Sequence, residues 1–263
     1  MLSGKTALVT GSTSGIGHAI ASALAAEGCN VMLNGFGDAG EIEHMRSAVA
    51  EAHDVTVAIN QADVGRADEI EGLFEQMSRE LGEVDILVNN AAAPESRQEA
   101  AIEDLPPERW DQAMAVNLSS AYHTSRLAIP GMKQRDWGRI VNIASSFALF
   151  GSKNKVDYVA SKTGLVGLTR GVALETAEFD ITCNAICPGW TLTPHQEGNI
   201  ERHSESTGLG RDEAIADMME SRQPSKRFVY PEHIGALVAF LCSDAAREIT
   251  GTAIPIDGGW AAE

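Results

Sequence analysis

Short apolar runs alternate with longer amphipathic stretches from one end of the chain to the other. TALVT at 6–10 leads into a helical pattern from His18 to Glu27, and NVMLN at 30–34 leads into one that runs to His53. VTVAI at 55–59 precedes a helical stretch at 67–81, DILVNN at 85–90 one at 107–129, and RIVNIAS at 139–145 one at 156–178. ITCNAIC at 181–187 is followed by a polar stretch and a helical pattern at 231–243, and TAIPI at 252–256 ends the series. Seven strands alternating with helices predict an α/β fold, a doubly wound seven-stranded parallel sheet with helices on both faces. No linker, composition break or repeat divides the pattern, so residues 1–263 are read as one domain. Residues 191–227 stand apart. They are polar, with a weak helical signal around Glu213–Glu220, and either close over a ligand as a lid or run across the surface without a role.

Charge narrows the choice of partners. Twenty Lys+Arg against 37 Asp+Glu leave a net charge of −17. So acidic a chain repels phosphate backbones and anionic lipid, which argues against nucleic acid and membrane partners. No stretch approaches the roughly 18 uncharged apolar residues of a spanning helix, and MLSGKTALVTG is too soon broken by glycine for a secretory signal. Cys29, Cys183, Cys187 and Cys242 lack paired spacing and read as core thiols, in keeping with a cytoplasmic protein. The histidines form no HExxH and no Cys/His cluster, so no metal site is expected.

The first chemical signal lies between the first strand and helix. TALVTGSTSGIGHAI places Gly11, Gly15 and Gly17 in a Gly-x3-Gly-x-Gly spacing. That pattern allows a tight turn, a close backbone approach to a pyrophosphate, and helix N-terminal amides aimed at its oxygens. Ser12, Ser14 and Ile16 complete the loop. A tight turn alone would also use glycines, but the strand–turn–helix context favours a Rossmann-type nucleotide site. Cofactor choice falls to Asn34–Asp38, where Phe36 stands in the place of the usual acidic ribose partner. Ser14 and Gly37 are not basic and the nearest arginine is Arg46, so nothing would neutralise the 2′-phosphate of NADP and NAD is favoured. Asp63 and Val64 would flank the adenine, and Asn90 would lie beside the nicotinamide ribose.

A second group of polar residues lies downstream. Ser145 ends the fifth strand, and Tyr158 and Lys162 open a helix at i, i+4 spacing, on one face. A phenol of ordinary pKa near ~10 is no base at neutral pH, but an adjacent ammonium stabilises the phenolate. Asn117 falls on the apolar stripe Trp110, Met114, Leu118, Ala121, and an amide buried there needs a partner, for which a water bridging to Lys162 would serve. GSTSG looks like a nucleophile elbow, yet its middle residue is Thr13 and no His/Asp set accompanies it. A non-catalytic dinucleotide sensor would lack part of this polar set, and Asn117, Ser145, Tyr158 and Lys162 are all present.

TGSTSGIG, NNAA, Asn117, Ser145, Tyr158-x3-Lys162 and Pro188-Gly189 resemble the short-chain dehydrogenase/reductase family in order and spacing, over essentially the whole chain. The resemblance implies that Tyr158 is the general acid/base and that Ser145 hydrogen-bonds the reacting oxygen. It implies that Lys162 holds the nicotinamide ribose and assists Tyr158, and that Asn117 supports a proton-relay water. It also places Pro188, Gly189, Thr191 and Thr193 at the cofactor. Ala92 departs from the family's usual NNAG glycine.

Within the family, VTGSTSGIG, NGFG, GRIVNIAS, ITCNAICPGW and DGGW are similar to bacterial D-3-hydroxybutyrate dehydrogenases. That resemblance implies an NAD-dependent cytoplasmic homotetramer oxidising a short β-hydroxy acid. Its carboxylate ligands are only partly kept, because Pro94, Phe147 and Asn199 replace the expected Gln, His and Gln, and Lys155 alone matches. Each lost hydrogen bond to a charged group is worth ~1.5–3 kcal/mol. With Phe147, Leu149, Trp190 and Trp260 as an apolar lining, the expected substrate is a less anionic secondary alcohol or ketone with an aryl or extended alkyl group. Glu95 and Glu197 either favour an amino alcohol or are solvated surface carboxylates. Hydroxybutyrate stays open as the alternative. Finally, Gly164, Gly167 and Gly171 on the catalytic helix suit either a close helix at a subunit interface or the neighbouring strand.

Overall fold

A computed structural model describes residues 2–94, 96, 98–220 and 222–262. Seven strands form one parallel sheet: β1 (Thr6–Val9), β2 (Asn30–Asn34), β3 (Val57–Asn60), β4 (Ile86–Asn89), β5 (Gly138–Ile143), β6 (Ile181–Pro188) and β7 (Ala253–Ile256). Their order is β3-β2-β1-β4-β5-β6-β7. The order reverses between β1 and β4, which opens a crevice beyond the carboxyl ends of these strands. The expected doubly wound Rossmann-type sheet is the one found.

Alternation along each strand feeds two cores. Ala7, Val9, Val31, Leu33, Ile86 and Val88 pack toward α1 (Gly15–Ala26) and α10 (Pro231–Cys242), meeting Ile20, Leu24, Val238 and Leu241. Leu8, Met32, Leu87 and Ile140 face the other way, toward α3 (Ala67–Glu80), α5 (Ser120–Arg135) and α7 (Val156–Glu175) through Leu73, Met77, Met132 and Val172. α2 (Ala39–His53) precedes β3, and Asp38 caps it by accepting from the amides of Gly40 and Glu41. All four cysteines are buried free thiols. Burial pushes Cys183 up to about 12 and Cys187 up to about 11, so both stay protonated. Among the described residues no helix is long and apolar enough to cross a membrane, and no group of three His, Cys, Asp or Glu is placed to hold a metal.

The structure departs from the sequence pattern in two places. The stretch expected as one helix at 107–129 is α4 (Pro107–Met114), a π-helical turn at Ala115–Ser119, and then α5. Second, the polar stretch at 191–227 holds two helices, α8 (Pro194–Thr207) and α9 (Arg211–Met219). Ile200, Met219 and Phe228 form a small core there with Trp190, Leu192, Ile215 and Met218. α8 carries little apolar periodicity. Its ends are defined by Pro194 in the first turn and by Gly208 at φ +75 past the last.

Candidate active site

The crevice at the sheet's switch point is a cleft of about 550 Å³. Its outer end is the glycine loop. Gly11 and Gly15 have φ of +62 and +54, and a Cβ on Gly17 would lie 2.3 Å from the Gly11 carbonyl. Only glycine fits such a turn, and the first amides of α1 are left facing the cleft. This cradle, open where a Cβ would fill it, fits a dinucleotide pyrophosphate. Asn90 fixes it by donating from Nδ2 to the carbonyls of Thr10 and Gly11, each at 2.9 Å.

Gly11, Ser14, Gly15, Ile16, Gly17, Phe36, Asp63, Val64, Asn90, Pro188, Gly189, Thr191 and Thr193 all line the cleft. Ser12 does not. It is fully buried, donating from Oγ to the Val9 carbonyl at 2.7 Å and accepting from the Asn34 amide at 2.9 Å, so it holds the loop against β2 from behind. Asn34, which opens the segment expected to choose the cofactor, lines the cleft and accepts the Gly11 amide at 3.4 Å. Among the described residues, Lys162 is the only lysine or arginine lining the cleft. Arg46 is committed to Glu43 and the Val57 carbonyl.

The inner end gathers the polar groups of β5 and α7. Ser145 leaves β5 with its Oγ accepting the Phe147 amide at 3.3 Å, and Tyr158 and Lys162 rise from the first turns of α7; all three line the cleft. Lys162 is buried, with Nζ donating to the Ile143 carbonyl at 2.7 Å and lying 5.9 Å from the Tyr158 ring centre. Asn117 sits in the π-helical turn at 2% exposure. Its amide finds protein partners directly: Oδ1 accepts from the Ala93 amide at 2.8 Å, and Nδ2 donates to Ser161 at 3.0 Å and Ser96 at 3.3 Å. These three bonds tie the buried amide to the loop after β4 and to α7.

Sequence reasoning also missed the ion pair that anchors α7. Arg109 of α4 reaches Asp157 at 2.8 Å, with side-chain exposures of 12% and 0%. The two residues are 48 positions apart, and no local pattern marks the pairing. Of the three helix glycines, Gly164 lies beneath Leu118, where a Cβ would come within 2.8 Å, while Gly167 and Gly171 have nothing within 4 Å. The close neighbour at Gly164 is the π-helical turn, not a strand.

On the substrate side, Pro94 lines the cleft. Phe147 stands edge-on to the Tyr158 ring at 6.5 Å and meets Trp260 at 5.1 Å, with Phe150 of α6 (Phe147–Phe150) completing the aromatic patch. Leu149 is exposed on that helix. Lys155 precedes α7, half-buried, and burial pulls its ammonium below the usual lysine range. Phe147, Lys155, Trp190, Asn199 and Trp260, all expected in the substrate pocket, are not among the residues that line the cleft. Trp190 packs into the small core under Arg222, whose guanidinium lies 4.1 Å over the ring, and Asn199 is taken up by Gln196 and Arg202 along α8. Gln196, not foreseen, lines the cleft instead. Glu197 pairs with Arg211 at 2.7 Å and borders the neighbouring groove between α1, α8 and α10 rather than the cleft. Glu95 lies outside the described residues.

Comparison with known proteins agrees with this geometry. Residues 11–261 match the family model described as enoyl-(acyl carrier protein) reductase. The chain is 50% identical to a D-beta-hydroxybutyrate dehydrogenase of Cupriavidus necator, covering 100% of both, and 46% identical to one of Rhizobium meliloti, covering 98% of this chain and 99% of that one. Among solved structures it is similar to the L-sorbose reductase of Gluconobacter frateurii complexed with NADPH and L-sorbose, at TM-score 0.93 and 29% identity over 100% of this chain and 98% of that one.

Proposed function

Given that the chain belongs to the short-chain dehydrogenase/reductase family, we propose that it is an NAD-dependent dehydrogenase of secondary alcohols bearing an aryl or extended alkyl group. The family's reaction is oxidoreduction at a hydroxyl or ketone, with a nicotinamide dinucleotide. One observation carries the proposal: Ser145, Tyr158 and Lys162 meet at the inner end of a cleft whose outer end is the glycine cradle. The bound dinucleotide would supply the hydride acceptor or donor. Gly11, Ser14, Gly15, Ile16 and Gly17 would hold its pyrophosphate, with Asp63 and Val64 along the adenine.

In this reading the chain's own groups manage the oxygen and its proton. Tyr158 Oη takes the proton of the substrate hydroxyl, or returns it to a carbonyl oxygen. Ser145 Oγ donates to that same oxygen as its charge develops, which favours the transition state over the ground state. Lys162, held by the Ile143 carbonyl, places a positive charge beside the phenol. Asn117 orders the loop that carries Ala93. The start of α8, where Thr193, Pro194 and Gln196 line the cleft, supports reading residues 191–227 as a lid on a single catalytic domain.

The NAD preference rests on the lack, among the described residues that line the cleft, of any basic group near Phe36. An unpaired 2′-phosphate forgoes charge-assisted hydrogen bonds of about 1.5–3 kcal/mol each, so NADP should be roughly tenfold to a hundredfold poorer. The apolar substituent is supported by Phe147 beside Tyr158, with Phe150 and Trp260 packed against it. A second reading, 3-hydroxybutyrate, is favoured by the similarity to the two hydroxybutyrate dehydrogenases and by the retained Lys155. NADH formation at 340 nm with 3-hydroxybutyrate, 1-phenylethanol and 2-octanol, under NAD and under NADP, separates them. The account expects the two apolar alcohols with NAD to give the highest kcat/KM. Fast turnover of the hydroxy acid alone overturns the apolar reading.

A further inference from the structure

We infer that Ser161 is a positioning residue for this reaction, docking the catalytic helix onto the loop that follows β4 through Asn117. The inference rests on Tyr158 as the proton-transfer group. Ser161 Oγ donates to the Tyr158 carbonyl at 2.9 Å and accepts from Asn117 Nδ2 at 3.0 Å. Asn117 Oδ1 in turn accepts the Ala93 amide at 2.8 Å, and Ser96 closes the network by donating to the Ala93 carbonyl at 2.7 Å and accepting from Asn117 at 3.3 Å. Ser161 and Ser96 are 0% exposed and Asn117 is 2% exposed. An unbroken hydrogen-bonded line thus joins the backbone of Tyr158 to Ala93 and Pro94, which line the cleft.

Packing alone does not call for this arrangement. An alanine at 161 would fill nearly the same volume, and the helix needs no side-chain bond to its own carbonyls there. What the hydroxyl adds is registry between two elements that must face each other across the reacting atoms. Directional bonds among buried groups specify one relative position, whereas apolar contact tolerates sliding. Leu118 against Gly164 presses the same π-helical turn onto α7 one turn further along, so hydroxyl and apolar contact together fix both rotation and height. Thr169 offers an internal control. Its hydroxyl donates to the Leu165 carbonyl at 2.8 Å and accepts from Asn142 at 2.9 Å, the same kind of link about two turns farther from the site.

The test compares Ser161→Ala, Ser161→Thr and Thr169→Val in the full-length protein. With whichever alcohol of the panel the wild type oxidises, Ser161→Ala should lower kcat at least tenfold while the NADH dissociation constant stays within twofold. Ser161→Thr, which keeps the hydroxyl, should recover most of kcat. Thr169→Val should lower the melting temperature and leave kcat within twofold.

A readout independent of substrate is the ultraviolet titration of the Tyr158 phenol in the NADH complex. It is isolated by subtracting a Tyr158→Phe variant in a chain with only three tyrosines. The charged and titratable groups around it are unchanged in all these variants: Lys162 and Asp157 of α7, Lys155 ahead of it, Arg109 of α4, the neutral Cys187 thiol of β6, and Asp257. A displaced helix start should move this titration in Ser161→Ala and not in Thr169→Val. The inference is overturned if Ser161→Ala behaves as Thr169→Val does, losing stability alone, or if its titration and kcat match wild type. A wild type that oxidises none of the panel overturns the proposed function instead, and the titration then decides the role of Ser161.

Discussion

Gly17 has no room for a side chain, since a Cβ would collide with the Gly11 carbonyl at 2.3 Å and with Asn90 Nδ2 at 2.5 Å. Gly17→Ala must therefore distort the cradle, and NADH affinity should fall at least tenfold in a fluorescence titration while the sheet still folds. His18, the next residue, has a buried Nδ1 with no hydrogen-bond partner among the described residues, and burial holds its pKa below the ordinary histidine value of 6.5. Between the lowered folded pKa and 6.5 the unfolded chain binds more protons, so stability is lost as pH falls through that window. The melting temperature should drop on acidification from pH 7 to 5, and His18→Gln should flatten that slope. At this scale the sequence was informative where chemistry is local. Tyr158 and Lys162 are readable because i, i+4 spacing alone puts them on one face. Gln196 was not, because nothing near it in sequence shows that its side chain reaches the cleft.

The elements were legible to the extent that apolar periodicity made them. All seven strands and the long helices follow from it. The π-helical turn at Ala115–Ser119 does not, since its sequence fits a regular helix until Leu118 has to meet Gly164. α8 buries only Ile200 along its described length, so its periodicity is too weak to read, and its terminal residues and a separate small core hold it. α7 owes its position to a pairing that no window of sequence contains, the ion pair of Arg109 with the fully buried Asp157. Removing one partner strands a buried charge, at a cost of about 3–5 kcal/mol. Arg109→Met should lower stability to denaturant by that order, and kcat with it, because the displaced helix start carries Tyr158.

At the scale of the whole molecule, the parallel topology and its switch point bring the glycine cradle and the group of Ser145, Tyr158 and Lys162 to one cleft, although Gly17 and Tyr158 lie about 140 residues apart in sequence. The substrate side was the least legible part. Trp190 and Asn199 were read by position along the chain, yet the fold of α8 and α9 turns them to other partners. Assembly belongs to this scale too. Gly167 and Gly171 present open helix surface and Leu174 is 80% exposed on the same helix, which suits a proposed homotetramer. Light scattering at micromolar concentration should return several times the chain mass, and a monomer would refute the assembly.

The account stands most directly on the Tyr158 hydroxyl, and the deciding measurement is the kcat of Tyr158→Phe set beside its NADH dissociation constant. The ring, its contact with Phe147 and the glycine cradle all remain in that variant, so NADH should bind within a few-fold of wild type while kcat falls by roughly 100-fold or more. Turnover near the wild-type rate with cofactor still bound would show that another group moves the proton, and would contradict the mechanism.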